Sequence, residues 1–365
     1  MKVKDIVEVI EAVAPPQYQE GYDNAGLIIG NPEQDIQSVL LCLDSTEAVI
    51  DEAIRDGHQL VLAHHPVVFK GLNRINGNTD VERTIIKAIQ NNIAIYAAHT
   101  NLDNVLHKGV NEKFCQKLGL KNIEILQPKK GFLVKLVVYV PETNAEELRS
   151  RMFELGAGHI GMYSDCSFTM KGKGTFRPGE SANPHIGRRG ERETVDEIRL
   201  EAMAPAHLAE QIIRELKRAH PYEEMAYEII ALENYNQTVG SGMLGELSEA
   251  MEVSEFLEHL KKSLNLSSFK YTEMKQKIKR VAVCGGSGSF LLSSAIRSKA
   301  DAYITSDVKY HEFFDALGHL MFCDIGHYES EISTLELFCE VIQEKYPTFA
   351  VAFCGTNTNP IHYYK

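Results

Sequence analysis

Leu60-Val61-Leu62-Ala63-His64-His65-Pro66 is the stretch on which the reading of this chain turns. Its apolar run, preceded by Gly57 and closed by Pro66, predicts a short buried strand. Two histidines stand at its carboxyl end. Side chains alternate faces along a strand, so neighbours converge on one point only where the chain turns away. Pro66 favours such a turn, because the residue before a proline is held out of the helical region. Ligands in open α/β sheets gather at the carboxyl ends of strands. The pair is either two unrelated loop residues or part of a site, and the rest of the sequence decides.

Working outward, strands and helices alternate on both sides. Residues 21–30 read as a polar turn and a short strand, and residues 37–43 as a second strand. Asp44-Ser45-Thr46 can cap a helix from Glu47 to Arg55, which Gly57 closes. Beyond the histidines come a helix over 80–91 and a strand over 93–98 that ends in His99-Thr100-Asn101-Leu102-Asp103-Asn104. This alternation predicts a largely parallel, layered α/β sheet. It puts His64, His65 and Asp103 on one edge. The same pattern returns after residue 231. A strand over 278–284 runs into Gly285-Gly286-Ser287-Gly288-Ser289, and one over 302–304 ends in Thr305-Ser306-Asp307. A strand over 321–325 ends in Gly326-His327-Tyr328-Glu329-Ser330-Glu331. Residues 39–45 echo residues 281–287, which suggests two similar lobes facing each other across a cleft.

The middle of the chain differs. Strand, helix, two strands, helix and strand follow one another between Gly131 and Ala231, the ferredoxin-like split order. The expected division is one discontinuous α/β domain, 1–127 with 232–365, carrying an inserted α+β domain at 128–231.

Composition bounds the function. The chain has 365 residues and a net charge of −12, an acidic total that argues against a general nucleic-acid binder. Seven cysteines, none spaced as C-x-x-C, read as reduced thiols, neither a disulfide framework nor a thiolate zinc site. Residues 1–14 carry helical apolar spacing and not the order of a secretory leader. No apolar run approaches the roughly 20 residues that span a membrane. The expected location is the cytoplasm.

Three strand ends carry metal-ligand chemistry: His64-His65, Asp103, and His327 with Glu331. The last two are four residues apart, so at a helix start they share a face. His99 is a further ligand or an outer partner. Imidazoles with carboxylates suit Zn, Mn, Fe or Co and not calcium. Five ligands exceed what one open zinc site uses, so a two-metal site with Glu331 as the bridge is the economical reading.

These stretches, with Tyr22-Asp23-Asn24-Ala25-Gly26-Leu27 and Thr305-Ser306-Asp307-Val308-Lys309-Tyr310-His311, resemble over essentially the full chain the dinuclear-metal-centre proteins called GTP cyclohydrolase I type 2 homologues, or Nif-three-like proteins. Tyr22 stands where many relatives carry Trp, which keeps a large aromatic. The resemblance implies two divalent ions per subunit, zinc foremost, on the same five residues. It further implies a toroidal homohexamer with sites facing an internal cavity, and an insert like PII or CutA.

Other motifs keep two readings. His311 is a general acid or base beside the metals, or a helix-start histidine without a chemical role. Residues 285–289 form a tight turn or a phosphate cradle, without the spacing of a P-loop. Arg177, Arg188, Arg189 and Arg192 form a solvated face or bind phosphate or another subunit. His220-Pro221-Tyr222-Glu223-Glu224 reads as a structural turn. The function expected is metal-dependent hydrolysis of a nucleotide or related small molecule, with a non-enzymatic, ring-shaped metal-binding regulator as the alternative.

Overall fold

The computed structural model describes residues 1–364. It is a mixed α/β fold with three sheets, divided into two compact units: residues 1–128 with 238–364, and residues 129–237.

In the first unit, the apolar stretches 39–43 and 60–63 are buried on both faces, as strands sandwiched between helical layers must be. They form the centre of a five-stranded sheet in the spatial order Gly26–Ile29, Ala94–Ala97, Leu60–His65, Ser38–Asp44, Ala350–Phe353. The four strands from Ala94–Ala97 onward are parallel, and Gly26–Ile29 is antiparallel. One face packs Leu40, Cys42, Val61 and Ile95 against Val49, Ile50, Ala53 and Ala88 of the helices Glu47–Asp56 and Asp80–Gln90. Thr46 caps the first of these by accepting from the Val49 N–H, and Gly57 closes it at φ 76°. The cap is Thr46 and not Asp44, which leaves Asp44 free for other work.

The second sheet of this unit has six strands, in the order Lys270–Tyr271, Met321–Asp324, Ala302–Ser306, Ile278–Ser287, Asn236–Met251, Lys121–Lys129. Met321–Asp324, Ala302–Ser306 and Ile278–Ser287 are parallel to one another; Lys270–Tyr271 and Asn236–Met251 pair antiparallel to the strands beside them. The expected largely parallel character thus holds for four strands of the first sheet and three of the second. Tyr303 and Phe322 stack in this sheet at 5.4 Å. Ser38–Asp44 and Ile278–Ser287, the two echoing segments, each lie inside their sheet and each pair in parallel with the next strand of the α/β alternation.

The second unit is a four-stranded antiparallel sheet ordered Phe168–Phe176, Glu193–Pro205, Leu133–Pro141, Tyr227–Ala231. Counted along the chain this is the order 2-3-1-4 of a split β-α-β arrangement. Its core joins Leu136, Val138 and Leu200 to Leu148 and Met152 of one helix and Ile212 and Leu216 of another.

Beyond residue 237 the chain resumes beside the point at which it left. A Cβ built on Gly240 would lie 2.8 Å from the Pro128 Cα. Replacing residues 129–237 by a four-residue Gly/Ser turn therefore closes a short gap, and loop closure of that length costs little. The shortened protein is expected to be soluble and to unfold in one cooperative thermal transition. An insoluble or molten product would overturn this boundary.

Candidate metal centre

The carboxyl ends of the parallel strands of both sheets in the first unit line one cavity of about 360 Å³. His65, Asp103, His327 and Glu331 line it with His99, Asp44 and the Gly285-Gly286 turn.

The two adjacent histidines converge because each leans on a different neighbouring strand. His64 Nδ1 donates to the Ala98 carbonyl at 2.8 Å, just past Ala94–Ala97. His65 Nδ1 donates to Asp44 Oδ1 at 2.7 Å, at the end of Ser38–Asp44. Their ring centroids are 4.9 Å apart. The same device recurs twice. His99 Nδ1 meets Asp23 Oδ1 at 2.7 Å, and His327 Nδ1 meets Asp307 Oδ2 at 2.6 Å. All four imidazoles thus have Nδ1 occupied, which fixes ring orientation and leaves Nε2 as the atom available for other chemistry. Asp23 is itself held by the Thr100 N–H at 3.0 Å and by the Thr100 hydroxyl.

The Nε2 atoms gather around one carboxylate. Glu331 Oε2 is 3.1 Å from His65 Nε2 and 3.1 Å from His327 Nε2. Its other oxygen, Oε1, lies 3.8 Å from His64 Nε2, which is 3.7 Å from Asp103 Oδ1. His327 and Glu331 are the first and last residues of the short helix His327–Glu331, so their spacing of four brings them together as expected. The nitrogens of His64, His65 and His99 fall within 4.8 Å of one another, as do the ligand atoms of His65, His327 and Glu331.

The electrostatics are those of a site built for cations. His64 Nε2 and Asp103 Oδ1 are buried without a hydrogen-bond partner. Buried polar atoms are ordinarily paired, and two orphans facing each other at this spacing fit a shared ion. Burial, then the charge of Glu331, raises the Asp103 carboxyl well above its usual range. Burial pushes Glu331 the same way, but the surrounding imidazoles overcome it and hold its carboxyl well below that range. Burial likewise depresses His65 and His327, and Asp44, Asp307 and Glu331 outweigh it, raising them to about 10 and about 9. Burial lowers His64.

The five residues singled out as ligands, His64, His65, Asp103, His327 and Glu331, therefore meet, and His99 joins them. His311 does not. It stands at the start of the helix Glu312–Ala316, its ring against Tyr310 and Phe314, and does not line this cavity. Sequence reasoning missed the carboxylates behind the histidines: Asp23, Asp44 and Asp307. Each lies in a motif that sequence reasoning had already marked, and the available signal was an aspartate at or near a strand end. Three exposed aromatic side chains, Tyr22, Phe69 and Phe290, also line the cavity. Among the described residues no Lys or Arg lines it.

Fold and side chains together define an α/β protein with a histidine–carboxylate cluster of metal-ligating type between the strand ends of two sheets. The family model for Duf34/NIF3 (NGG1p interacting factor 3) matches residues 1–360, and the chain belongs to that family. A Halalkalibacterium halodurans protein named GTP cyclohydrolase 1 type 2 homolog is 39% identical over 361 residues, 97% of each chain. Among solved structures, a Bacillus cereus protein related to NIF3 is similar at 37% identity and a TM-score of 0.86, covering 100% of this chain and 99% of that one. A Staphylococcus aureus protein is similar at 31% identity and a TM-score of 0.77, with the same coverage. No helix among the described residues is long and apolar enough to cross a membrane.

Proposed function

We propose that His64, His65, Asp103, His327 and Glu331 hold two divalent metal ions and that the protein is a cytoplasmic metal-dependent hydrolase acting on a nucleotide or related ring compound. The observation that carries this reading is the division of labour at Glu331: one oxygen faces His65 and His327, the other faces His64, with Asp103 beyond. That is the disposition of a bridging carboxylate. Mixed imidazole and carboxylate donors suit zinc first, with iron, manganese or cobalt as alternatives. When bound, such a pair of ions supplies an activated water and polarises the group it attacks.

The chain's own groups do the rest. Asp44 and Asp307 orient His65 and His327. His99, backed by Asp23 and with its ring centroid 5.3 Å from those of His64 and His65, takes a proton from water and returns one to the leaving group. Tyr22, Phe69 and Phe290 offer flat apolar surface to a planar substrate. The name carried by the relatives supports a nucleotide, and the missing Lys and Arg leave any phosphate to the ions. The ring-shaped homohexamer and the PII- or CutA-like character of the insert expected at 128–231 belong to this reading as well.

The test pairs metal analysis by mass spectrometry, on protein purified without added metal, with a hydrolase screen that includes GTP. About two ions per chain and turnover lost on chelation are expected. Two ions with no turnover on any substrate would replace the enzyme by a metal-holding regulatory ring, and no bound metal would overturn the reading entirely.

Proton competition gives a further expected result. In the metal-free protein His65 and His327, with pKa values of about 10 and about 9, each carry a proton at neutral pH. Ligation needs neutral imidazoles, so binding expels those protons. Affinity for zinc, measured against a chelator, should rise as pH rises from 6.5 toward 9, by up to about tenfold per unit for each proton displaced, and level off above about 10. Affinity that is flat or falls over that range would contradict ligation through these two histidines.

A further inference from the structure

The second unit contains a cavity of its own, of about 380 Å³, that the metal chemistry does not use. Two stretches, Gly174-Thr175-Phe176-Arg177-Pro178 and His220-Pro221-Tyr222-Glu223-Glu224, converge on it from distant parts of the chain. Volume in this range, apolar walls and a few convergent polar groups are the ordinary marks of a small-molecule site.

The cavity is built in advance. His220 is buried and donates from Nε2 to the Tyr139 carbonyl at 3.0 Å, while its Nδ1 accepts the Tyr222 N–H at 3.0 Å. This fixes the turn that carries Tyr222. Both oxygens of Glu223 accept the Asn183 N–H at 3.0 Å, and Arg189 Nε donates to the Ala182 carbonyl at 2.7 Å. The Gly190 N–H closes the loop on the Pro178 carbonyl at 2.8 Å. The long Gly/Pro/Asn loop is therefore tied down as one wall.

Its chemistry has three parts. Phe176 and His185 flank Tyr222, with ring centroids 5.9 Å and 6.2 Å from it, and so present aromatic surface. Glu197 lines the interior, its carboxylate over the bare Cα of Gly174, where any Cβ would lie 2.1 Å from Oε2. No salt bridge among the described residues engages that carboxylate. Arg177 lines the cavity as an exposed guanidinium, likewise without a salt bridge among the described residues. Burial, with Glu197 beside it, pushes the Tyr222 hydroxyl up to about 12, so it remains a neutral hydrogen-bonding group at physiological pH.

We infer that this cavity binds a planar heteroaromatic ring with two adjacent N–H donors and an anionic tail, the chemistry of a guanine nucleotide. The ring lies against Phe176 and Tyr222, since aromatic faces stack on any base. The two carboxylate oxygens of Glu197 are acceptors, which matches the N1–H and 2-amino edge of guanine and not the edge of adenine. Arg177 meets the phosphate. The inference is independent of the metal reading.

Isothermal titration calorimetry of the full-length protein with guanosine monophosphate tests it. Binding of micromolar order is expected. Glu197→Gln and Arg177→Ala, both conservative of the fold, should each weaken it about tenfold or more. Adenosine monophosphate should bind at least about tenfold more weakly than the guanine nucleotide. In Glu331→Ala, where any nucleotide binding through the metal cleft is removed, the binding that depends on Glu197 and Arg177 should persist, which separates this cavity from the metal cleft. Absence of binding, equal affinity for the two nucleotides, indifference to Glu197→Gln and Arg177→Ala, or loss in Glu331→Ala of the binding that depends on Glu197 and Arg177 would each overturn the assignment.

Discussion

Glu331→Ala is expected to strip the protein of both metal ions at once. The two oxygens of this carboxylate face different donors: Oε2 lies 3.1 Å from His65 and His327, and Oε1 lies 3.8 Å from His64. Truncation leaves one side with two imidazoles only, their Nε2 atoms 3.4 Å apart. The other side keeps His64 and Asp103, with His99 beside them. Neither remnant has the donor set of a tight, closed site. Metal content should fall from about two ions per chain to near none. The variant should fold, and Glu331→Gln, which keeps the side-chain volume, serves as the check that packing is not the cause. Mass spectrometry of both variants, with circular dichroism, measures the outcome. Retention of one full equivalent would make Glu331 a terminal ligand of one ion, and the bridging assignment would fail.

The candidate ligands are legible in the sequence because strand ends announce themselves locally. A short apolar run broken by His64-His65-Pro66, or by Gly326-His327, marks both the strand and the edge at which a site forms. What supports those residues is less legible, because it depends on which strands become neighbours. Asp44 reads as a helix cap by its spacing, and only the parallel pairing of Ser38–Asp44 with Leu60–His65 reveals that it sits opposite His65. Asp23 and Asp307 are the same case, each tied to a histidine 76 or 20 residues away.

Two long strands escape the sequence for a different reason. Asn236–Met251 carries three glycines, which weaken the alternating pattern, and Lys121–Lys129 is half exposed, charged and ends in Pro128-Lys129. Their pairing follows from the close approach that glycine permits. A Cβ on Gly240 would stand 2.3 Å from the Gln127 carbonyl oxygen. The final strand, Ala350–Phe353, is recognisable as a strand, but its partner, Ser38–Asp44, is more than 300 residues away and no local pattern names it. Propensity identifies such elements; non-local packing alone assigns their neighbours.

Gly286→Ala should cost nearly as much as losing a ligand, although it adds one methyl group. Gly286 adopts φ +65°, a conformation that only glycine takes without penalty. Its position is fixed from both sides: its N–H donates to Ser330 Oγ at 2.9 Å and its carbonyl accepts from Thr305 Oγ1 at 3.0 Å. A Cβ there would stand 2.3 Å from Glu331 Oε1 and 3.4 Å from His327 Cε1. The carboxylate must swing aside, and it is the oxygen facing His64 that is displaced. Left-handed backbone in a residue with a Cβ adds about 1–2 kcal/mol of strain. Metal affinity should fall about 10–100-fold, and the melting temperature should drop with or without metal. Gly285→Ala is the matched comparison. Its φ is not positive, and a Cβ there meets Val110 at 3.1 Å and Glu331 Cγ at 3.4 Å, so it should retain most of the metal. Chelator-competition titrations of the two variants side by side decide the matter: equal metal affinity in both would mean that the Gly286 turn does not hold the carboxylate in place.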